Sequence, residues 1–138
     1  MGTQTMKAAA LAVGCVLAVS SAAHAEEDPG KYRSDLFANS CRKAVELDQG
    51  KLNPSIPDAV SIADCYGYIQ GFIDGHNMTA DHAGNAKQFC VPAGVAAIQV
   101  ARLVVNASDS RPDIGHLHRE SLLEYALASA WPCSAGGA

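Results

Sequence analysis

The chain has 138 residues, with ten Lys plus Arg against fourteen Asp plus Glu, for a formal net charge of −4. That acidity argues against a nucleic-acid partner, which needs a basic face. The length suits one small domain, and nothing after residue 25 is apolar for the roughly 20 residues that a bilayer span requires.

The chain opens with Lys7 ahead of an apolar stretch from Ala8 to Val19. Ala23-His24-Ala25 then offers the small-x-small pattern that a signal peptidase cuts. Residues 1–25 are therefore expected to be an export signal, leaving a mature chain that begins at Glu26 in the periplasm. The "AVGC" ending at Cys15 resembles a lipoprotein cleavage box, but the apolar run continues past it, which favours plain cleavage and discards Cys15. Residues 26–33 read as a flexible polar leader.

From there helical periodicity runs through the chain, without a clean alternating strand. A first helix is expected from Ser34 or Asp35, either of which can cap it, to about Leu47, burying Leu36, Phe37, Ser40 or Cys41, Ala44 and Leu47. Gly50 to Pro54 makes a turn. A second helix opens with Ser55 as cap, Pro57 in the first turn and Asp58 at the positive helix end, and runs to about His76. Its apolar residues are Val60, Ile62, Ala63, Tyr66, Ile69, Phe72 and Ile73. Asn77 to Gln88 is expected to be a loop.

A third helix is expected behind "FCVP", with Pro92 in its first turn and Val95, Ile98, Leu103 and Val104 inward, ending near Val105. Asn106 to Gly115 is a second loop. The last helix spans about His116 to Ala130, with Leu117, Leu122, Leu123, Ala126 and Leu127 inward, until Pro132 stops it. This is an all-α fold: a small domain of four to five helices in two hairpins over residues 34–133, followed by a short tail, 134–138.

Four cysteines remain after the signal: Cys41, Cys65, Cys90 and Cys133. An even number in a small exported domain reads as two disulfides, with three connectivities open. The hairpins choose among them. Cys41 and Cys65 lie nearly level across the first turn, and antiparallel third and fourth helices bring Cys90 beside Cys133. Cys133 is then the staple that holds the end of "ALASAWPC", with Trp131 as the plug beneath it.

Gly67, Gly71 and Gly75 recur at four-residue spacing in the second helix, where each costs about 1 kcal/mol relative to alanine. Such a face admits a second backbone, either by close packing within the monomer or by contact between two copies. The chain lacks HExxH, GxSxG and a phosphate-cradling glycine loop, so no enzyme, cofactor or metal is expected. His76, Asp81, His82, His116 and His118 do not have ligand spacing and read as surface or capping residues. Asp109, Asp113, Glu120 and Glu124 read as a solvated face. Asn77 and Asn106 fit glycosylation sequons, which matter only in a eukaryotic secretory pathway.

"CYGYIQGF" (65–72), "FCVP" (89–92), Gln99 and "AL…AWPC" (126–133) resemble the signature of the Rap/Tai family of immunity proteins, over roughly residues 35–133. Cys65, Cys90 and Cys133 match its cysteine framework, and Gly67, Tyr68 and Gly71 its helix motif. The resemblance implies a periplasmic, all-helical, disulfide-bonded and often homodimeric protein that binds and blocks a peptidoglycan amidase delivered by type VI secretion. In such proteins protruding segments recognise the effector. Here "NASDSRPDIGH" (106–116) aligns with no family motif and is the candidate inhibitory loop on exposure grounds, with Ser110, Arg111, Pro112 and Asp113 as contact residues. Residues 77–88 compete with it. The alternatives are a periplasmic helical chaperone of the acid-chaperone type, or an envelope protein of unassigned role with the same fold.

Overall fold

The computed structural model describes residues 32–83 and 86–133. The expected export signal, the leader up to residue 31 and the tail 134–138 lie outside these residues. Four helices follow in order: α1 (Ser34–Asp48), α2 (Ile56–Ala83), α3 (Ala97–Ser110) and α4 (Arg119–Ala130), with a short 3-10 turn, Pro112–Ile114, between the last two. Among the described residues there is no strand, only an isolated antiparallel bridge between Arg33 and His118.

In α1, Phe37, Ala38, Cys41 and Ala44 recur at helical spacing and are buried. Leu36 and Leu47, expected inside, are exposed instead. Both lie on one flank, about a quarter turn from the stripe through Phe37, Cys41 and Ala44. Neither Ser34 nor Asp35 caps the helix, because Arg33 holds the cap position without a side-chain bond. Ser34 is the first helical residue and fully buried. Its N–H donates to the Leu117 carbonyl at 2.8 Å and its hydroxyl to the His118 carbonyl at 2.8 Å. The Asp35 N–H donates to the Gly115 carbonyl at 3.0 Å. Carbonyls distant in sequence thus satisfy orphan donors of the α1 N-terminus.

Ser55 and Asp58 open α2 as a reciprocal pair. The Asp58 carboxylate accepts from the Ser55 N–H at 3.0 Å and the Ser55 hydroxyl at 2.6 Å. The helix continues to Ala83, so residues 77–83, expected in a loop, are helical. No Gly or Pro interrupts that stretch, the Thr79 hydroxyl donates back to the Gly75 carbonyl at 2.8 Å, and Ala80 is buried.

Pro92 does not start α3. It begins a turn in which the Val95 N–H donates to the Pro92 carbonyl at 3.4 Å and Gly94 has φ +83°. A left-handed glycine there ends any helix before it grows, so α3 begins at Ala97. Gln99 Oε1 accepts from the Ala96 N–H at 2.8 Å, closing that end. At its other end α3 runs on through Asn106–Ser110, which were expected in the loop, because Val104, Val105 and Ala107 continue its buried stripe. Arg111, which precedes Pro112, leaves the helical region at φ −130° and ψ 64°. α4 then starts at Arg119, later than His116. Leu117, expected inward, is exposed, and the chain around it gives its carbonyls to α1.

The two hairpins form as expected, and α1 packs most extensively against α3. Cys41 bonds to Cys65 across α1 and α2, and Cys90 to Cys133. Ion pairs cross both faces of α1: Arg42 to Asp109 at 2.7 Å and Asp48 to Arg102 toward α3, and Lys43 to Asp58 at 2.8 Å toward α2. Between them lies a core containing Phe37, Ile69, Phe89, Val100, Leu122, Leu123 and Leu127. Trp131 packs partly buried against it.

Candidate functional site

The 111–118 connection is short and fastened at both ends. Ser110 closes α3 and donates its hydroxyl to the Ala107 carbonyl at 3.0 Å. Arg111 forks onto Asp113, Nε to Oδ1 at 2.9 Å and an η nitrogen to Oδ2 at 2.8 Å. Pro112 lies exposed between them. The guanidinium holds the Asp113 carboxyl below the usual carboxylate range, and the pairing pushes Arg111 above its own. Arg111 also lies over the Tyr125 ring of α4, 5.1 Å from its centroid. Sequence reasoning missed Tyr125, whose place opposite Arg111 depends on how α3 and α4 pair.

Further along, Tyr32 and Arg33, assigned to the flexible leader, are pinned. The Arg119 N–H donates to the Tyr32 carbonyl at 2.7 Å. The Arg119 guanidinium stacks over Tyr68 at 3.7 Å and Tyr32 at 4.9 Å, and reaches Asp64 of α2 at 3.3 Å.

The glycine face of α2 points outward. A Cβ built at Gly67, Gly71 or Gly75 would meet nothing within 4 Å, so close packing within the monomer does not explain these glycines. On the same stripe stand Ile56, Val60 and Met78, which are 83%, 65% and 61% exposed. At i, i+4, i+11, i+15 and i+22, Ile56, Val60, Gly67, Gly71 and Met78 lie along one outward line opposite the core face of Ile62, Cys65 and Ile69, with the exposed Asp74 at i+18 also on it.

A groove of about 420 Å³ runs between α3 and α4. Leu103, Asn106, Ala107 and Ser110 line one side and Tyr125, Ala126, Ser129 and Ala130 the other.

The described histidines form no common cluster. The His76 ring stacks on Phe89 with centroids 3.9 Å apart, while His82, His116 and His118 are exposed at separate places. Asp81 pairs with Lys87 at 3.3 Å. Among the described residues no group of three or more His, Cys, Asp or Glu could hold a metal ion, and no helix is long and apolar enough to cross a membrane.

A family model described as Rap1a immunity proteins matches residues 33–133. No curated protein and no solved structure matches the chain.

Proposed function

The chain belongs to the Rap1a immunity protein family, which implies a partner effector protein, and from that premise we propose that it binds and blocks a peptidoglycan amidase delivered into the periplasm by type VI secretion. Two disulfides suit an oxidising compartment and supply a rigid frame. The observation that carries the reading is the Arg111–Pro112–Asp113 turn. It is exposed and polar, and it is already ordered by Tyr125 and by its own ion pair. A pre-ordered loop loses little conformational freedom on entering a cleft, and occlusion requires no chemistry from the inhibitor. Ser110 starts this turn and Asp113 ends its polar edge.

Two copies of the chain pair through the outward face of α2. Exposed Ile56, Val60 and Met78 give that face apolar area, and the glycines between them admit a close backbone.

The test is to express each amidase encoded beside this protein in the periplasm, with and without it, and to follow lysis. Protection by the wild-type chain that is lost with Arg111→Glu plus Asp113→Lys is the expected result. Equal lysis with and without the protein, for every such amidase, removes the immunity reading.

A further inference from the structure

The groove between α3 and α4 adjoins the Arg111–Asp113 turn but is no part of the contact argued above. Its floor is built of small side chains, Ala107 and Ala126, both buried, with Ala130 beside them. Facing alanines cannot fill the space between two helices, so the trough stays open, with Leu103 and Tyr125 as apolar walls. A volume of about 420 Å³ lies within the range of sites that receive a ligand.

The rim says what kind of occupant fits. No charged residue lines the trough. The cation at its end, Arg111, is already committed to Asp113 and to the Tyr125 ring. A charged occupant would therefore lose water without gaining a counter-ion. Asn106 and Ser129 stand exposed on opposite rims, and neither side chain bonds to another described residue. An amide with free donors and acceptor, facing a hydroxyl across an apolar trough, matches an extended backbone carrying an apolar side chain. Because Ser110 belongs both to the groove lining and to the turn, one partner can engage both.

We propose that this groove receives an uncharged, extended segment of the effector. One large apolar side chain of that segment enters between Leu103 and Tyr125, and its backbone is held by Asn106 and Ser129. The inference rests on the immunity reading and adds a second contact to it: the turn occludes the amidase, and the groove anchors it.

The experiment measures binding of the mature wild-type chain, Asn106→Trp and Ser129→Trp to each amidase encoded beside it. A benzophenone photo-crosslinker placed at position 129 reports what lies in the groove. Both substituted positions are exposed, so melting should not change, while a ring laid over the trough should weaken the complex at least about tenfold. The crosslink should map to one uncharged stretch of the amidase. If the wild type binds no amidase, the immunity reading and this inference fall together. If the wild type binds and both tryptophan variants bind equally well, or the crosslink joins two copies of this chain, the groove inference alone is overturned.

Discussion

Arg111 and Asp113 satisfy each other, so exchanging their signs keeps a pair but inverts the charge that a partner meets. Both are exposed, and exposed pairs contribute little to folding. Arg111→Glu with Asp113→Lys should therefore leave the melting temperature unchanged while abolishing protection from lysis. A lowered melting temperature would show that the pair belongs to the scaffold. The cross-helix carboxylates behave differently with pH. Lys43 and the Ser55 hydroxyl hold Asp58 well below the usual carboxylate range, and the Arg42 guanidinium lowers Asp109. A carboxyl whose folded pKa is depressed stabilises the fold above its unfolded value of about 4 and loses that contribution as pH falls through the folded value. Stability should thus be level from neutral pH to about 5 and decline below about 4. Asp58→Asn, which removes the less exposed carboxylate beside Lys43 and Ser55, should flatten part of that decline in thermal melts across pH 7 to about 2.5, whereas Asp109→Asn, at a position about as exposed as Asp113, should change it little. A gain of client binding in the same acid range would instead favour the chaperone reading.

At the level of the helix, the α2 glycines separate two costs. Nothing lies within 4 Å of an added Cβ at Gly67, Gly71 or Gly75. Each glycine-to-alanine change should therefore stabilise the monomer by about 0.5 to 1 kcal/mol, through helix propensity and a less free unfolded chain. Gly71→Leu should likewise leave the monomer folded but abolish the proposed pairing of two copies in sedimentation. Destabilisation of the monomer by Gly71→Leu would mean that the face is internal after all. The four-residue glycine spacing was legible in the sequence, but its direction was not, because α2 carries apolar residues on its outer face as well as toward the core. The same limit explains the other departures. Periodicity located Phe37, Cys41 and Leu122, yet it placed Leu36 and Leu47 inside, because only the packing of α1 against α3 and α2 decides where that stripe ends, and Leu117 as well, which lies before α4 rather than in it. Helix ends followed local turn chemistry where a residue forced it, as at Ser55 and Asp58. At α1 the start was legible but its cap was not, because a distant carbonyl, that of Leu117, accepts from the Ser34 N–H. The disulfide pairing was readable because two antiparallel hairpins leave only one level arrangement. The groove was not, since it depends on alanines from two helices facing each other.

For the whole molecule, the two disulfides make unequal demands on the same frame. Cys41–Cys65 closes 24 residues and Cys90–Cys133 closes 43, so loop-closure entropy alone gives about 3.5 and about 4 kcal/mol and ranks the second as the more stabilising. Packing reverses that order. Cys41 and Cys65 are fully buried in the centre of the core, between α1 and α2, and replacing both by alanine also opens a cavity among residues that cannot collapse. Cys90 and Cys133 lie at the margin, where the Cys90 N–H still donates to the Trp131 carbonyl at 2.9 Å and the Trp131 N–H to the Leu127 carbonyl at 2.8 Å. The double variant Cys41→Ala, Cys65→Ala should therefore unfold at lower urea than Cys90→Ala, Cys133→Ala, despite its shorter loop. In the second variant, hydrogen exchange should rise first at the backbone amides of positions 90 and 131 and then along the last turn of α4. Ser129 and Ala130, which wall the groove, lie in that turn, so this variant should stay folded yet hold the effector less tightly. The opposite urea ranking would mean that loop closure, and not the buried sulfurs, sets the stability of the frame.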